Sequence, residues 1–285
     1  MFERGIKMPK ISCADIREEV LFDVKHRIEE LECVPTLAII TCSDDKPSVT
    51  YVNNKKKTME SVGIQTTHYN LDPENETTES ICELVFNCCR NFNGVLVQLP
   101  LAEHLDEEKI LSCITPDRDV DGLHPDNVAK LVMGKENEAL IPCTALAVFE
   151  IMKRKFGEDL SRVDVQVINR SRLIGKPLTS LLLNHNATPH VYHSKSASIS
   201  YDMPSYDVIV TGIGKPRIVN CHYMRDYTTV IDCGISYVNG HLVRDVAYEE
   251  EDKIDYYYNV GVLTTAFVAV NVLKAYELQN KCFNK

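Results

Sequence analysis

Residues 165–195 carry the pattern that most constrains the fold: a strand, a polar turn, a helix and a second strand. An apolar run of strand length, residues 165–168, is followed by a polar turn over 169–175. Pro177 suits the first turn of a helix, and a second strand is predicted over 188–192. Because a helix that starts after a parallel strand presents free backbone N–H groups, this order predicts half of a nucleotide-binding βαβ unit.

The end of the second predicted strand indicates which nucleotide this unit would bind. NAD-binding units carry an acidic residue about 20 residues further on, where it binds the ribose hydroxyls. Here the strand is followed by His193, Ser194 and Lys195, which suit a 2′-phosphate, so the pattern predicts NADP. The glycine-rich dinucleotide fingerprint is missing apart from Gly175, and an ordinary α/β loop remains an alternative at this point.

The composition is that of a soluble globular protein with reduced cysteines, and it argues against a general binder of nucleic acid or membrane. The 285 residues include 31 Lys and Arg against 41 Asp and Glu, a formal net charge of −10 that argues against a general binder of nucleic acid or anionic membrane. No apolar run approaches the roughly 18 residues of a membrane span. Eleven cysteines without a Cys-x-x-Cys pair favour a cytoplasmic protein with reduced thiols. His190 and His193 would face opposite sides of a strand, so no metal site is expected.

Strand and helix signals alternate along the chain, which is typical of α/β domains built on parallel sheets. Strands are predicted near 37–40, 64–71, 95–99, 165–168, 188–192, 207–211 and 229–233, and helices near 47–62, 77–89, 144–155 and 264–278. Thr144 is expected to cap its helix. We therefore expect an N-terminal α/β domain over 1–145 and a C-terminal Rossmann-like domain over 146–263, with the helix 264–280 packing back on the first domain.

One predicted helix presents three polar side chains on a single face. Ser48, Tyr51 and Lys55 are spaced i, i+3 and i+7, which aligns them along the helix. Lys56 and Lys57 are rotated away by about 100° and 200°, and we expect both to face solvent. The face is a candidate catalytic surface, and a solvated basic helix is the alternative.

Further candidates lie at one edge of the predicted N-terminal sheet. Gln98 is near the carboxyl end of its strand, the edge where α/β sheets bind ligands, and a loop with Asp119 and Asp121 could reach the same edge. Each has a simpler interpretation, as a strand-end cap or as turn chemistry. Their convergence with Lys55 is more typical of an active site.

The chain resembles one family, the methylenetetrahydrofolate dehydrogenase/methenyltetrahydrofolate cyclohydrolases, from about Pro35 to Lys274. The matching segments, in the order of the family's motifs, are Tyr-Val-Asn-Asn-Lys-Lys-Lys at 51–57, Val-Gln-Leu-Pro-Leu at 97–101, Arg-Asp-Val-Asp-Gly at 118–122, Pro-Cys-Thr at 142–144, Asn-Arg-Ser-Arg-Leu-Ile-Gly-Lys-Pro at 169–177, Tyr-His-Ser at 192–194 and Ile-Asp-Cys-Gly-Ile at 231–235.

The resemblance implies an NADP-dependent enzyme of one-carbon metabolism that acts on a small-molecule folate. Such an enzyme oxidises 5,10-methylenetetrahydrofolate to 5,10-methenyltetrahydrofolate and hydrolyses the product to 10-formyltetrahydrofolate. The resemblance also implies a homodimer and a folate site in a cleft between the two domains.

Roles for individual residues follow from the same resemblance. It implies that Lys55 and Gln98 serve the methenyl carbon and that Asp121 hydrogen-bonds the edge of the pterin. The other folate-binding residues it implies are Ser48, Tyr51, Val97, Leu99 and Gly261, with Tyr51 stacking near the pterin. For NADP it implies that Arg170 and Ser194 bind the 2′-phosphate, and that the remaining cofactor site is formed by Thr144, Asn169, Ser171, Gly175 and Ile235.

Two segments depart from the family's pattern. Asn169 stands where the family has glycine, and we expect the turn to survive because asparagine tolerates positive φ. Three tyrosines, Tyr256, Tyr257 and Tyr258, align with a glycine- and proline-rich loop that lines the folate site, which predicts weaker folate positioning. Two alternatives therefore stay open: a member with one activity only, and a degenerate paralogue that binds folate or nucleotide.

Overall fold

The computed structural model describes residues 10–43, 46–198, 203–249 and 253–283. Its α-helices are α1 (Ala14–Glu29), α2 (Lys46–Ser61), α3 (Thr78–Asn91), α4 (Glu107–Ser112), α5 (Pro125–Val132), α6 (Cys143–Phe156), α7 (Gly175–Asn184) and α8 (Val260–Phe283). Its strands are β1 (Lys10–Ser12), β2 (Thr36–Thr41), β3 (Gln65–Asn70), β4 (Gly94–Val97), β5 (Asp164–Ile168), β6 (Thr188–Tyr192), β7 (Val208–Thr211), β8 (Val219–Asn220), β9 (Thr229–Asp232), β10 (Ser236–Val238), β11 (His241–Val243), β12 (Val246–Ala247) and β13 (Asp255–Tyr258).

The described residues divide into two compact units. The three-stranded unit comprises those within Glu18–Cys143 and Thr265–Lys285, and the six-stranded unit comprises those within Met1–Arg17 and Thr144–Thr264. The fold class expected from the sequence, two α/β domains with parallel sheets, is confirmed. Residues 10–17 differ from the expected boundary, because strand β1 pairs with β13 in the six-stranded unit.

The three-stranded unit is built on a parallel sheet with strand order β3-β2-β4. Strand β2 is almost wholly apolar and buried, as expected for the centre of a parallel sheet. Helix α3 begins with a capping box of Thr77 and Ser80 and packs its apolar face on the same core as β2 and β4. The carboxyl ends of the three strands therefore lie along one edge.

The six-stranded unit contains a parallel sheet with strand order β1-β13-β9-β7-β5-β6. The residues of β7 and β9 are all buried, since helices and loops cover both faces of a parallel sheet. The order reverses beside β5, and β5, α7 and β6 form the predicted βαβ unit. This is the topology at which α/β sheets bind nucleotides, at the carboxyl ends of the strands.

The tyrosine segment forms strand β13 and is not a loop, in contrast to the loop expected from the resemblance. Strand β13 is paired on both sides, with β1 and β9. Tyr256 is 2% exposed, and its hydroxyl donates a hydrogen bond of 2.9 Å to Asp232. Alternating side chains of a strand face opposite sides of the sheet, and Tyr256 thereby fills the core of the six-stranded unit. Tyr257 and Tyr258 stay partly exposed, and the weaker folate positioning expected of this segment stays a prediction.

Helix α8 is longer than the predicted 264–278. By length and composition alone its residues Val260–Asn280 could cross a membrane, contrary to the sequence-based statement that no run approaches that length. However, 56% of that window is buried inside the protein, as in a core helix of a globular protein. Helices α1, α4 and α5 were not predicted: α1 has only a weak apolar periodicity, and α4 and α5 span only 6 and 8 residues.

Candidate functional site

Lys55 and Gln98 meet at the carboxyl edge of the three-stranded sheet. Lys55 lies on α2, which follows β2, and Gln98 directly follows β4 and donates its backbone N–H to Ile40 O at 2.9 Å. The Lys55 Nζ donates to Gln98 Oε1 at 2.8 Å, and Gln98 Nε2 donates to Leu99 O at 2.7 Å. The amide is thus fixed with its oxygen towards the lysine, and the two residues form one unit.

The expected exposure of the neighbouring lysines holds for one of them. Lys57 is exposed, but Lys56 is partly buried, as is Lys55. Burial lowers the pKa of His68 on β3, and the positive charge of Lys56 lowers that pKa further. Lys56 therefore lies near β3 and is only partly exposed, so the expectation of a solvent lysine is met only in part.

Asp121 carries a carboxyl group within electrostatic range of Lys55. Desolvation raises the pKa of Asp121, and the positive charge of Lys55 opposes that increase. The charged form of the carboxylate is therefore costly here and depends on the lysine. Lys55, Gln98 and Asp121, which the sequence analysis proposed as a set, are brought together by the fold.

Asp119 has a structural role in the same loop. It is 3% exposed, and its Oδ2 accepts the backbone N–H of His124 at 2.6 Å and the Asn127 side-chain amide at 3.4 Å. Its backbone forms an isolated parallel bridge to Val95 of β4. Asp119 thus ties the loop to the sheet and leaves Asp121 as the candidate for ligand contact.

Asp119→Asn is expected to stabilise the protein relative to the parent increasingly as pH rises from 4 to 7. Burial raises the pKa of Asp119 from 3.8 to about 6, so the folded state binds a proton that the unfolded state releases between these values. The contribution of Asp119 to the free energy of unfolding of the parent therefore falls as pH rises through that window, by about 3 kcal/mol in total. Asparagine cannot ionise and keeps an oxygen for the His124 N–H. Urea unfolding of both proteins across this pH range measures the difference, and a pH-independent difference would refute the assignment.

The nucleotide turn of the six-stranded unit is organised by the side chain of Asn169. Its Oδ1 accepts the backbone N–H of Ser171 at 2.6 Å and of Gly175 at 3.1 Å, and its Nδ2 donates to Gly212 O at 2.5 Å. Asn169 is not one of the described residues that have a positive φ. The expected reason for asparagine at this position, its tolerance of positive φ, is therefore wrong, because the side chain bridges the turn instead.

Gly175 is required at the start of α7. A Cβ there would lie 2.0 Å from Asn169 O and 2.8 Å from Arg170 Cα. The Ser171 hydroxyl accepts the Ile174 N–H at 3.1 Å, which further shapes the turn. The close approach brings the start of the helix against the end of β5, as in turns that bind pyrophosphate.

Arg170 and Ser194 lie at the same edge of the six-stranded sheet. Each follows by two residues a partner in the β5–β6 register, Ile168 and Tyr192 respectively. Both side chains are exposed. Two adjacent polar side chains at a strand edge, one of them cationic, form a donor set that suits a phosphate group.

The remaining predicted cofactor residues are also in the six-stranded unit. Thr144 lies in the first turn of α6, which begins one residue earlier than expected, so Thr144 is inside the helix and not at its cap. Ile235 is partly exposed and directly precedes β10. Their positions are compatible with the predicted roles, which stay predictions.

The predicted folate-binding residues differ in what they can offer. Val97 is 2% exposed within the core of the three-stranded unit, whereas Leu99 is partly exposed. Gly261 is exposed in the first turn of α8, and a Cβ added to it would meet no described atom within 4 Å. The side chains of Ser48 and Tyr51 lie outside the described residues, although the backbone there is part of α2.

Asp245 is a site residue that the sequence did not indicate. It is fully buried, and its carboxylate accepts the backbone N–H groups of Ile213 at 2.6 Å, Gly214 at 3.2 Å and Lys215 at 2.8 Å. It thereby shapes the loop after β7, next to the Asn169 turn. An aspartate between short apolar runs is typical of a turn. Only the folded structure shows that Asp245 accepts the backbone N–H groups of the loop after β7.

Comparisons with known proteins match both units. Residues 10–121 match the model of the tetrahydrofolate dehydrogenase/cyclohydrolase catalytic domain, and residues 142–280 match that of the corresponding NAD(P)-binding domain. The bifunctional protein FolD of Acetivibrio thermocellus is 37% identical over 274 residues, covering 93% of this chain and 94% of that protein.

Two solved structures are similar over nearly the whole chain. FolD methylenetetrahydrofolate dehydrogenase/cyclohydrolase of Campylobacter jejuni has a TM-score of 0.88 and 31% identity, covering 96% of this chain and 100% of that one. The Trypanosoma brucei enzyme, solved with NADP cofactor and inhibitor, has a TM-score of 0.88 and 28% identity, covering 97% and 99%.

Proposed function

Since the chain belongs to the tetrahydrofolate dehydrogenase/cyclohydrolase family, we propose that Lys55, Gln98 and Asp121 carry its folate chemistry and that Arg170 and Ser194 select its cofactor. The protein oxidises 5,10-methylenetetrahydrofolate with NADP and hydrolyses the methenyl product to 10-formyltetrahydrofolate. The observation that carries the residue assignment is the 2.8 Å hydrogen bond from Lys55 to Gln98 beside the Asp121 carboxyl group.

Lys55 moves the proton in the hydrolysis step. Water adds to the methenyl carbon and loses a proton, after which one carbon–nitrogen bond breaks and its nitrogen takes up a proton. A positioned amine that exchanges protons with the water and the nitrogen accelerates such a step. Gln98 orients Lys55, because its Oε1 accepts from the lysine while its Nε2 is fixed on Leu99 O.

Asp121 anchors the pterin. A pterin edge presents N–H donors, and an ionised carboxylate accepts two of them with charge-assisted hydrogen bonds. Burial raises the pKa of Asp121, so folate N–H groups and the Lys55 charge together compensate the cost of ionisation. The same anchoring orients the methylene carbon for hydride transfer, which depends on alignment more than on acid–base help.

The six-stranded unit fits NADP. The Gly175 approach leaves no room for a side chain between α7 and the end of β5, and the Asn169 and Ser171 side chains hold the turn open at the helix start. Arg170 and Ser194 supply donors for the 2′-phosphate, while Thr144 and Ile235 border the nicotinamide. When bound, NADP supplies the hydride acceptor.

Arg170→Ala is expected to remove most of the preference for NADP over NAD, which should be at least about tenfold in the parent. Each charge-assisted hydrogen bond to the 2′-phosphate contributes roughly 1.5–3 kcal/mol, and an NAD ribose cannot form it. Titration of both cofactors measures the preference. Arg172→Ala is the matched control, since it removes an equal charge from the same turn. Equal affinity of the parent for the two cofactors would refute the phosphate site.

The function is tested by the absorbance of methenyltetrahydrofolate, formed from methylenetetrahydrofolate by the purified protein with NADP and then with NAD. We expect formation with NADP and subsequent hydrolysis. Formation without hydrolysis would identify a dehydrogenase only, and binding without turnover would identify the degenerate paralogue. Retention of the Lys55–Gln98 pair with Asp121 favours the bifunctional enzyme.

We further propose that the protein acts as a cytoplasmic homodimer on small-molecule folate, without a nucleic-acid or membrane partner. The net charge of −10 supports the absence of a nucleic-acid or membrane partner, because a negatively charged protein binds polyanionic surfaces poorly. The family resemblance supports the dimer. Light scattering at micromolar concentration distinguishes dimer from monomer by mass.

A further inference from the structure

Asn271 is a buried amide in an otherwise apolar stretch of α8. It is 1% exposed, and its neighbours Val268 and Val272 are also buried. Burial of an amide is costly unless its polar atoms find partners. An apolar residue would fill this position more cheaply, so the reason for asparagine lies in its hydrogen bonds.

The Asn271 side chain joins two separate backbone segments. Its Nδ2 donates to Val120 O at 2.8 Å and to Ile141 O at 2.8 Å, and lies 3.4 Å from the Cys143 Sγ. Val120 directly precedes Asp121. The amide thus uses its two N–H groups to hold the Asp121 loop against the segment that leads into α6.

Close backbone packing makes this junction stiff. Gly122 has φ +70°, and a Cβ on it would lie 2.4 Å from the Ile141 carbonyl carbon and 2.6 Å from Pro142 N. The Cys143 thiol also donates to Val120 O, at 3.4 Å. Asn271 and Cys143 hold Val120, directly before Asp121, whereas the close packing of Gly122 and the hydrogen bond from the His124 N–H to Asp119 hold the residues after it. The backbone on both sides of Asp121 is therefore fixed.

One atom of the same side chain has no partner. The Asn271 Oδ1 is buried and accepts no hydrogen bond from the residues that the structure describes. A buried amide that leaves its oxygen unpaired has been placed for its N–H groups, since those alone offset its burial. Asparagine is therefore required here by its hydrogen bonds to the carbonyls of Val120 and Ile141.

We propose that Asn271 is a positioning residue for folate binding, which fixes Asp121 through the carbonyls of Val120 and Ile141. The inference rests on the proposed role of Asp121 as the pterin anchor. Asn271 touches neither substrate nor cofactor in this account. Apart from glutamine, whose amide lies one methylene further from the backbone, no uncharged side chain donates two hydrogen bonds from one planar group.

The test is a double-mutant cycle of Asn271→Ala with Asp121→Asn, with KM and kcat measured for both reactions. In the parent background we expect Asn271→Ala to raise KM for folate roughly tenfold and to leave KM for NADP unchanged. In the Asp121→Asn background the further rise should be below about twofold, because the positioned carboxylate is gone. Val268→Ala on the same helix is the control for lost packing and should leave the folate KM near the parent value.

Three outcomes decide between the possibilities. An unchanged folate KM in Asn271→Ala, or an equal rise in both backgrounds, would overturn the positioning role while the enzyme's function stands. A parent protein without either activity would overturn the proposed function and this inference with it. If Asn271→Ala does not fold, Asn271→Ser, which retains one short donor, replaces it in the same cycle with the same criteria.

Discussion

Lys55→Met is expected to lower the rate of methenyltetrahydrofolate hydrolysis at least about 100-fold, because general acid–base groups contribute factors of that size or more. Methionine keeps most of the length of the side chain and its apolar packing. It cannot donate to Gln98 Oε1, which the lysine does at 2.8 Å, and it cannot exchange protons with water. The rate at which preformed methenyltetrahydrofolate loses its absorbance measures this hydrolysis step alone.

The control for this prediction is Lys56→Met. Lys56→Met removes the same charge from the next position of α2, where that charge lowers the pKa of His68, whereas the hydrogen bond to Gln98 comes from Lys55. Hydrolysis by Lys56→Met should stay within about threefold of the parent rate, a change of well under 1 kcal/mol. NADPH formation should persist in Lys55→Met, since hydride transfer depends on alignment. Hydrolysis at the parent rate by Lys55→Met would refute the assignment of Lys55 as the acid–base group.

Asp121→Ala is expected to weaken folate binding by roughly tenfold or more, since removing one partner of a buried charged hydrogen bond costs about 1–3 kcal/mol or more. NADP affinity should change little, because the cofactor residues are in the six-stranded unit. Equilibrium titration with a folate ligand and with NADP measures both affinities.

The pH dependence of folate binding provides a second readout for Asp121. Burial raises the pKa of its carboxyl group, and protonation removes the negative charge that the pterin N–H groups contact. Folate affinity of the parent should therefore fall as pH falls through that raised pKa, and Asp121→Ala should lose this dependence. Asp126→Ala, at an exposed position in the first turn of α5, is the control and should behave like the parent. Loss of NADP binding with folate binding intact would contradict the assignment.

The sequence predicted the elements whose pattern is local. Helix periodicity placed Lys55 on the inner face of α2, and a buried strand followed by Pro100 placed Gln98 at the sheet edge, where the two residues meet. The βαβ unit was predicted because its strands are apolar runs and its turn is polar. These features depend on residues close in sequence, and tertiary packing agreed with them.

The features that the sequence missed depend on contacts between distant segments. Tyr256 belongs to a strand because β1 and β9 pair with it, over distances in sequence that no local pattern reports. Asn271 and Asp245 bind backbone groups of other loops, so their partners become visible only in the fold. Asn169 was assigned a role from its backbone tolerance, whereas its side chain bridges two loops.

The central claim is that one chain carries out both reactions in sequence on the same folate. The most direct test is the product stoichiometry after complete conversion of methylenetetrahydrofolate by the purified protein with excess NADP. We expect equal amounts of NADPH and 10-formyltetrahydrofolate, with the latter formed at a rate well above that of uncatalysed hydrolysis. NADPH accompanied only by methenyltetrahydrofolate that decays at the uncatalysed rate, or no NADPH at all, would contradict it.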